Sequence, residues 1–362
     1  MKPTVCLNMI VKDEAHVIER CLASALPLID RWCIVDTGSS DNTTSIIKTF
    51  LAGLPGEIHQ RPWRNFAHNR NEALDLAFAH GTDYILFIDA DETFVAPADF
   101  AWPALDADAY ELSVQYDQIQ YARTALIASL KPWRWHGAVH EYLDCPKPHR
   151  IGALTAPTIF VHHDGARARD ATTYLKDIAI LQDELRNHPD STRDTFYLAQ
   201  SYRDAGRLAE ARNTYQRCAT MGGWDEEIWY SLFQAAVLSE RMDEPPSQVS
   251  ANYLAAFNAR PSRAEPLVEL ARYHRLRREY ALAFLYAKHA AELPLPSDRL
   301  FIDATAYRWR ALDELSVSAY YVGTPLAKAA GADAAQRLLH ESLAPTSDLA
   351  RIEANRNYYL TA

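Results

Sequence analysis

The stretch that decides the fold is Tyr84-Ile85-Leu86-Phe87-Ile88-Asp89-Ala90-Asp91-Glu92, an apolar run of strand length that ends in three carboxylates around one alanine. A strand of a parallel sheet that is covered on both faces is continuously apolar, and ligands collect beyond the carboxyl ends of such strands. Because alternate residues of an extended segment point the same way, we expect Asp89 and Asp91 to face one hard cation, which neutralises a diphosphate. An acidic turn that ends a strand and caps the next helix is the alternative interpretation.

The residues around this stretch alternate between strand-like and helix-like patterns. We predict strands at 4–11, 32–36, 57–60 and 84–91, and helices around 15–26, 42–51 and 69–79. Strands that alternate with helices imply right-handed crossovers and a mainly parallel sheet with a nucleotide-sized crevice at its carboxyl edge. Neither the GxGxxG dinucleotide fingerprint nor the GxxxxGKS/T phosphate loop is present in the sequence, so phosphates must be held in another way.

The composition of the 362-residue chain, which is 48% hydrophobic with a formal net charge of −10, limits the class of protein. A chain of this length buries a sizeable core, and we expect two domains. The negative charge, without blocks of like charge, argues against general nucleic-acid binding. The five cysteines show no CxxC pairing. They indicate neither a zinc site nor a disulfide framework, and a reducing compartment is the simplest setting.

The apolar segment at residues 4–11 is short, contains Asn8 and leads directly into Lys12-Asp13-Glu14. We interpret it as a first core strand, neither a signal peptide nor a membrane span. No later apolar run is long enough to cross a bilayer. We therefore expect a cytoplasmic protein, and a lipid-linked acceptor would have to be reached by peripheral docking at the inner membrane.

Four motifs follow one another in the N-terminal half of the chain. They are Met9-Ile10-Val11-Lys12-Asp13-Glu14, Ile34-Val35-Asp36-Thr37-Gly38-Ser39-Ser40-Asp41-Asn42-Thr43, Ala67-His68-Asn69-Arg70-Asn71-Glu72-Ala73-Leu74 and Asp89-Ala90-Asp91-Glu92. In their order and separation they resemble the family 2 glycosyltransferases, and the resemblance spans residues 1–165. It implies a GT-A-like α/β domain that binds a nucleotide sugar. It specifies neither the donor nor the acceptor.

The resemblance implies three nucleotide-binding residues. Asp36, which closes the second strand, is expected to contact the base or the ribose, and an Asx-type turn is its structural alternative. Arg70 is expected to contact the nucleotide, since a guanidinium suits a base edge or a phosphate, and an exposed helix arginine is the alternative. Asp89 is expected to hold the ribose or a metal-bound water. Asn69 and Asn71 are interpreted as helix-start or packing residues.

The resemblance also implies a divalent metal, Mg²⁺ or Mn²⁺, bound directly by Asp91. The metal bridges the two phosphates and stabilises the leaving nucleotide. A second β-type run, residues 159–165, contains two adjacent histidines, and a histidine from a later strand completes the metal shell in many related transferases. Because neighbours on a strand face opposite ways, we expect one ligand, His163 before His162, and a structural role stays open for each. Glu92 is interpreted as a supporting or capping residue.

A cluster of aromatic and polar residues lies at positions 131–142. Sugars offer apolar ring faces and many hydroxyl groups, so such a mixture is a suitable lining. We expect three of these residues to line an acceptor or sugar pocket: Trp133, Trp135 and His140. Tryptophans with a purely structural role are the alternative interpretation.

An inverting transferase needs a carboxylate that takes the acceptor proton. The family commonly has a Glu-Asp pair at this point, whereas this chain has the pair His140-Glu141. We predict that Glu141 is the base, with Asp144 and Glu111 as alternatives.

Beyond Gly165 the pattern changes to consecutive helices with a degenerate repeat. The spacing of large and small residues in the segment 197–215, repeated at 270–290, resembles a tetratricopeptide unit of about 34 residues. The segment 229–261 between them is interpreted as an enlarged, imperfect unit. Such a pattern serves the packing of paired helices and not catalysis. The concave face of the array offers a groove for a peptide, a partner protein or self-association. We predict two domains, an α/β domain at 1–165 and a tetratricopeptide-like domain at 166–362.

The whole chain resembles bacterial transferases that join these two kinds of domain. The resemblance implies metal-dependent transfer of a hexose, with inversion, from a nucleotide sugar, preferably a UDP-sugar. The acceptor is unidentified and could be a glycan, a protein or another hydroxyl or thiol. One alternative is a catalytically vestigial fold that serves as a tetratricopeptide-type interaction scaffold. A nucleotidyltransferase is a third interpretation, against which the missing triphosphate loop after residues 5–10 argues.

Overall fold

A mixed, mainly parallel sheet organises the first half of the chain in the computed structural model, which describes residues 2–117 and 119–360. Its first strands are β1 (Val5–Val11), β2 (Arg31–Asp36), β3 (Gly56–Gln60) and β4 (Tyr84–Phe87). They are joined by α1 (Ile18–Ala25), α2 (Thr43–Phe50) and α3 (Phe66–Phe78), with a 3₁₀ turn at Leu26–Leu28. β1 pairs in parallel with β2 and β4, and β2 pairs in parallel with β3. The predicted α/β sheet is confirmed.

Burial on both faces explains the apolar sequence of these strands. Along β1, Leu7 belongs to the core on one face with Leu22 of α1, and Cys6 belongs to the core on the other face with Leu74 of α3. Alternate strand residues point to opposite faces, so a strand that is covered twice needs apolar residues at nearly every position.

The sheet is extended by strands with both orientations. They are β5 (Glu92–Val95), β6 (Ala109–Tyr116), β7 (Ile119–Ala128), β10 (Ile151–Ala153) and β11 (Thr158–Val161), while β8 (Arg134–His136) and β9 (Tyr142–Asp144) form a separate two-stranded sheet. β7 is antiparallel to β4 and β6, β11 is parallel to β6 and antiparallel to β5, and β10 is parallel to β6. The antiparallel strand β7 therefore lies within the sheet, between β4 and β6.

One expectation about the deciding stretch is corrected. β4 ends at Phe87, and the backbone turns at once, because the amide of Glu92 donates to the carbonyl of Asp89 (3.0 Å). Asp89 and Asp91 therefore do not project from one extended strand. They lie in a turn between β4 and β5, and this turn still lies at the carboxyl edge of the sheet.

The chain divides into two compact units, Met1–Ala205 and Gly206–Ala362. Three helices follow the last strand of the first unit: α4 (Ala166–Arg169), α5 (Thr173–Asn187) and α6 (Thr192–Asp204). The change to helical structure thus begins at the predicted boundary, residue 165, whereas the first compact unit continues to Ala205. The reason is that α4 and α6 contact the α/β part directly, as shown below for Ala166 and Arg193.

The second unit is almost entirely helical. It contains α7 (Leu208–Met221), α8 (Asp225–Arg241), α9 (Pro246–Ala259), α10 (Glu265–Leu276), α11 (Tyr280–Glu292), the short strand β12 (Ile302–Asp303), a π-helical turn (Ala306–Arg310), α12 (Ala311–Val322), α13 (Pro325–His340) and α14 (Thr346–Leu360). Fully buried alanines such as Ala283 and Ala287 let neighbouring helices approach closely. The predicted tetratricopeptide-like region is confirmed.

Across the described residues, none of the helices combines the length and the apolar character that crossing a bilayer requires.

Candidate active site

The centre of the site is Arg70, which lies on α3 and joins two carboxylates from distant parts of the chain. Its Nη2 donates to Oδ1 of Asp89 (2.6 Å), and its Nε donates to Oε1 of Glu141. Only 9% of Arg70 is exposed. Burial opposes its charge, but the carboxylates of Asp89 and Glu141 outweigh burial and raise the pKa of Arg70, which therefore stays charged. The predicted nucleotide residue and the predicted base are thus in direct contact.

Hydrogen bonds fix the position of α3 below this cluster. Asn8 of β1 donates to the carbonyl of Ala73 (2.9 Å), and Asn71 bonds both the amide and the carbonyl of Trp135 (2.9 Å each). Asn69 accepts from the amide of Arg64 (2.9 Å) at the helix start. Asn69 and Asn71 are therefore packing residues, as predicted. Asn8 holds α3 against β1, and Asn71 holds it against β8.

The ring of Trp135 supports Arg70 from below, with the guanidinium carbon 5.0 Å from the ring centroid. Trp135 is 9% exposed and Trp133 only 1%, and both belong to the core between α3 and β4. A side chain this deeply buried does not contact a bound sugar, so the expectation that Trp133 lines an acceptor pocket is corrected. The structural alternative describes Trp133, and Trp135 acts on the site through Arg70.

A second arginine, Arg123 on β7, reaches the same side of the cluster. It donates to both oxygens of Glu92 (2.9 and 2.6 Å), and its Nη1 lies 4.0 Å from Oδ2 of Asp89. Glu92, which is 3% exposed, also accepts from the amide of Asp89 (3.0 Å). Its predicted role as a support is confirmed by these contacts. The sequence analysis missed Arg123, because only the pairing of β7 with β4 brings it here.

Asp89 is a partly exposed carboxylate of this cluster. Protein surrounds it, yet 40% of its side chain is open to solvent. Burial disfavours the negative charge of Asp89, but the attraction of Arg70 and Arg123 is stronger. The pKa of Asp89 is therefore lowered. Asp89 is therefore a charged group that a ligand can reach.

Asp91 lies in a different environment, close to other carboxylates. Burial and the neighbouring Asp89 raise the pKa of Asp91. Burial also raises the pKa of Glu14, to about 7, with Asp91 adding to the effect and a hydrogen bond from the amide of Ala166 opposing it. Glu14, at the end of the first sequence motif, was not predicted as a site residue. Among the residues that the structure describes, no arginine forms an ion pair with either of these carboxylates, in contrast to Asp89.

A divalent cation fits this side of the site by charge. In residues 2–117 and 119–360, no three His, Cys, Asp or Glu side chains are placed closely enough to hold a metal by themselves. Mg²⁺ and Mn²⁺ in nucleotide sites are commonly bound by one or two carboxylates, with water and substrate phosphates as the other ligands. The carboxylates Asp91 and Glu14 suit such binding, because a cation would offset the effect of burial, and of the neighbouring carboxylates, that raises the pKa of both.

The two histidines that follow β11 occupy different positions. The amide of His162 donates to the carbonyl of Asp91 (3.1 Å), and its ring Nε2 is 2.8 Å from Oγ1 of Thr93. His163 has a positive φ of 53° and packs against the ring of Tyr116, with 4.1 Å between centroids. The nearness of His163 opposes the rise in the pKa of Asp91. The preference for His163 as a metal ligand stays a prediction.

Asp36, at the end of β2, forms the turn that was its structural alternative. Its carboxylate accepts from the amides of Gly38 (3.3 Å) and Ser39 (3.2 Å), and only 2% of the residue is exposed. Gly38 has φ of 109°, a conformation that favours glycine. The expected contact of Asp36 with a nucleoside stays a prediction.

The alternative bases lie farther from this cluster of charges. Asp144 is exposed at the end of β9. Glu111 lies on β6 next to Leu112, whose cross-strand partner is Arg123, so Glu111 points to the opposite face of the sheet. Glu141 is therefore the candidate that the structure brings to Arg70.

Comparison with known proteins identifies similar sequences. Residues 6–97 match the family model described as glycosyl transferase family 2. A TPR repeat-containing protein of Synechococcus elongatus is 28% identical over 309 residues, which cover 79% of this chain and 74% of that protein. The SPbeta prophage-derived glycosyltransferase SunS of Bacillus subtilis is 32% identical over 93 residues, covering 25% of this chain but only 21% of that protein.

Among solved structures, the crystal structure of S. aureus TarS 1–349 is similar with 13% identity, covering 83% of this chain and 98% of that one. Its TM-score is 0.33.

Proposed function

We propose a reaction for this chain from one premise. The chain carries a family 2 glycosyltransferase domain, matched over residues 6–97, and a tetratricopeptide-like helical region after it. It transfers a hexose from a nucleotide diphosphate sugar, preferably a UDP-sugar, to a hydroxyl or thiol of an acceptor. The transfer inverts the anomeric carbon and requires Mg²⁺ or Mn²⁺.

The observation that carries the proposal is the position of Arg70 between Asp89 and Glu141, at the carboxyl edge of parallel strands. A transferase must hold a negatively charged donor beside a group that takes a proton from the acceptor. A buried arginine that contacts a solvent-accessible aspartate on one side and a glutamate on the other connects these two tasks. An interaction scaffold needs no such arrangement.

On the donor side, Asp36, Arg70 and Asp89 hold the nucleotide. The guanidinium of Arg70 is already neutralised by two carboxylates, so it orients the nucleotide more than it offsets the charge of two phosphates. A cation held by Asp91, with His163 or His162, supplies Lewis-acid stabilisation of the diphosphate as the leaving group departs. Glu14 is a further group that could contact this cation.

On the acceptor side, Glu141 acts as the general base. The hydrogen bond from Arg70 uses Oε1, which leaves Oε2 to take the acceptor proton. As the acceptor oxygen or sulfur forms its bond to the anomeric carbon, the bond between that carbon and the diphosphate oxygen breaks on the opposite side. The proton passes to Glu141 and the nucleotide diphosphate leaves, so that atoms and charge balance.

Thermal stabilisation by nucleotides tests the donor side. We expect UDP and UDP-sugars, compared with GDP- and dTDP-sugars, to raise the melting temperature with Mn²⁺, and EDTA to remove the shift, because binding to the folded state stabilises it by mass action. Absence of a shift with every nucleotide, in folded protein, contradicts the proposal and favours the scaffold alternative.

Donor hydrolysis, in which water replaces the acceptor, tests the base. Glu141→Gln should lower the rate of UDP release by about 10²- to 10⁴-fold with little change in nucleotide affinity. Asp144→Asn is the matched variant on β9, and we expect its rate to stay near that of the unaltered protein. The opposite result for the two variants would transfer the role of base to Asp144.

The helical region is proposed to bind a protein or peptide, either as the acceptor or as a partner that presents a glycan acceptor. Paired helices of this kind form grooves for extended peptides and for partner helices. We propose a cytoplasmic location, where nucleotide sugars are available, with peripheral contact with the inner membrane if the acceptor is lipid-linked.

A further inference from the structure

The segment that carries the proposed base has an unusual backbone. Gly137 has φ of 93°, and His140, directly before Glu141, has φ of 53°. A residue with a side chain rarely adopts this left-handed conformation, and it persists only where surrounding contacts hold it. The position of Glu141 therefore depends on whatever holds His140.

Two residues of α6 provide these contacts. Nη2 of Arg193 donates to the carbonyl of His140 (2.9 Å), and the ring of His140 stacks on Tyr197 with 4.1 Å between centroids and 13° between planes. The peptide unit and the side chain of His140 are thus both held from α6.

The residue after Glu141 is held by the same arginine. The guanidinium of Arg193 lies over the ring of Tyr142 at 4.7 Å and over the ring of Tyr197 at 4.8 Å. Such cation–π contacts add to the hydrogen bond with His140. Both sequence neighbours of Glu141 are therefore fixed by the pair Arg193 and Tyr197.

These contacts complement the ion pair with Arg70. Arg70 holds the carboxylate of Glu141 from α3, and Arg193 contacts from α6 the carbonyl of His140 before it and the ring of Tyr142 after it. Without the second support, a residue in the left-handed region is free to return to an ordinary backbone conformation, and the side chain of Glu141 moves with it. A general base must lie within hydrogen-bond distance of the proton it removes.

We propose that Arg193 and Tyr197 are positioning residues for Glu141, and that α6, beyond the α/β sheet, is part of the catalytic machinery. The inference rests on the proposed role of Glu141 as the base. The family model matches residues 6–97, so α6 lies outside the matched region. The inference gives this helix a function in the reaction itself.

The full-length protein is the material for the test, with UDP-glucose and GDP-mannose in parallel as donors and Mn²⁺ as the metal. We expect Arg193→Ala to lower the rate of nucleotide release by about 10- to 100-fold, because a small displacement of a catalytic group has this effect, while the KM for the donor changes little. Arg193→Lys, which keeps a charge and a donor, should restore part of the rate. Tyr197→Ala, which removes the ring that stacks on His140, should also lower the rate.

Arg186→Ala is the matched control. Arg186 lies on the neighbouring helix α5, is 69% exposed and pairs with Asp183, and we expect this variant to leave the rate unchanged.

A double variant separates positioning from general structural support. If Arg193 acts through Glu141, Arg193→Ala should have little further effect in the Glu141→Gln protein, since the group it positions is already disabled. An additive further loss would overturn the inference. If Glu141→Gln itself keeps the full rate, the proposed base is wrong. If Glu141→Gln loses the rate but Arg193→Ala keeps it, only the positioning inference is wrong.

Amide hydrogen exchange tests the contacts without any donor. We expect exchange in residues 137–143 to rise in Arg193→Ala and to stay unchanged in Arg186→Ala. Unchanged exchange in Arg193→Ala would overturn the inference even if no nucleotide sugar is hydrolysed.

Discussion

Arg70 and Glu141 form an ion pair although 71 positions separate them in the sequence. Their side chains are each about one-tenth exposed, so the pair is shielded from water on most sides. The second partner of Arg70, Asp89, is partly open to solvent. A ligand that contacts Asp89 therefore acts on a group connected to the proposed base through one guanidinium.

Replacement of Arg70 should lower both stability and activity. Arg70→Ala leaves two carboxylates without their shared partner, and we expect a loss of about 2–3 kcal/mol in the free energy of unfolding, since breaking a shielded ion pair leaves an uncompensated charge. Urea denaturation measures the change. Arg134→Ala is the matched control, because its ion pair with Asp75 is largely exposed and should contribute less than about 1 kcal/mol. Equal losses in the two variants would contradict the central role of Arg70.

Asp91→Asn should change stability and function in opposite directions. Removal of a carboxylate that burial and Asp89 already disfavour should raise the melting temperature in EDTA by a few degrees. The same substitution should abolish the Mn²⁺-dependent stabilisation by nucleotides. Scanning calorimetry with and without Mn²⁺ and UDP measures both effects. Retention of the Mn²⁺-dependent shift would contradict the role of Asp91 as a ligand.

The raised pKa of Glu14 predicts how stability depends on pH in the absence of metal. In the folded state the pKa is about 7, above the ordinary 4.5, so the folded protein holds this proton more tightly than the unfolded chain does. Protonated Glu14 should stabilise the folded state fully below about pH 4.5. This stabilisation should decrease as the pH rises and should be lost once the pH has passed about 7. Glu14→Gln should reduce this slope in EDTA, as measured by the melting temperature between pH 5 and pH 8. An unchanged slope would contradict the pKa of Glu14.

Much of the fold can be predicted from local sequence, because its signals are local. β1, β2 and β4 are short apolar runs, and each ends in polar residues. One of the helices between them, α3, begins at a capping residue, Asn65, whose side chain accepts from the amide of His68. The order of the motifs led to the prediction of Asp36, Arg70 and Asp89 as nucleotide-binding residues. The structure brings Arg70 and Asp89 into contact, and the role of all three in binding stays a prediction.

The missed residues depend on long-range pairing that no local pattern specifies. Arg123 reaches Glu92 only through the antiparallel register of β7 with β4 and β6, and Glu14 meets the amide of Ala166 across 152 positions. Arg193 lies in a helix whose own sequence has only a packing pattern. Trp133 was misassigned because aromatic residues among polar ones look alike in a sugar pocket and in a core that borders a surface strand.

Arg123 should be important for stability in its own right. Arg123→Met leaves Glu92, which is 3% exposed, without its bidentate partner, and we expect a loss of about 3 kcal/mol. The double variant Arg123→Met with Glu92→Gln should recover part of the loss, because no uncompensated charge is left. A double-variant cycle by urea denaturation measures the coupling, and strict additivity would contradict a direct interaction.

Gly165 provides a way to displace Asp91 without changing its chemistry. A Cβ at Gly165 would lie 3.0 Å from the Cβ, Cγ and Oδ2 atoms of Asp91, which is closer than ordinary contact. The backbone of Gly165 itself has φ of −67° and tolerates alanine. We therefore expect Gly165→Ala to shift the carboxylate of Asp91 by a few tenths of an ångström while the fold is kept.

Such a shift should weaken Mn²⁺-dependent binding of UDP by about 10-fold, since a site that holds a cation and a diphosphate depends on the exact direction of its carboxylate ligand. The melting temperature in EDTA should change by no more than a few degrees. Gly53→Ala is the matched control, because a Cβ at Gly53 meets no atom within 4 Å, and its UDP affinity should be unchanged. Titration calorimetry with Mn²⁺ and UDP measures the affinities. Equal affinities in the two variants would mean that Asp91 does not hold the cation, and the search for the metal ligand would move to Glu14.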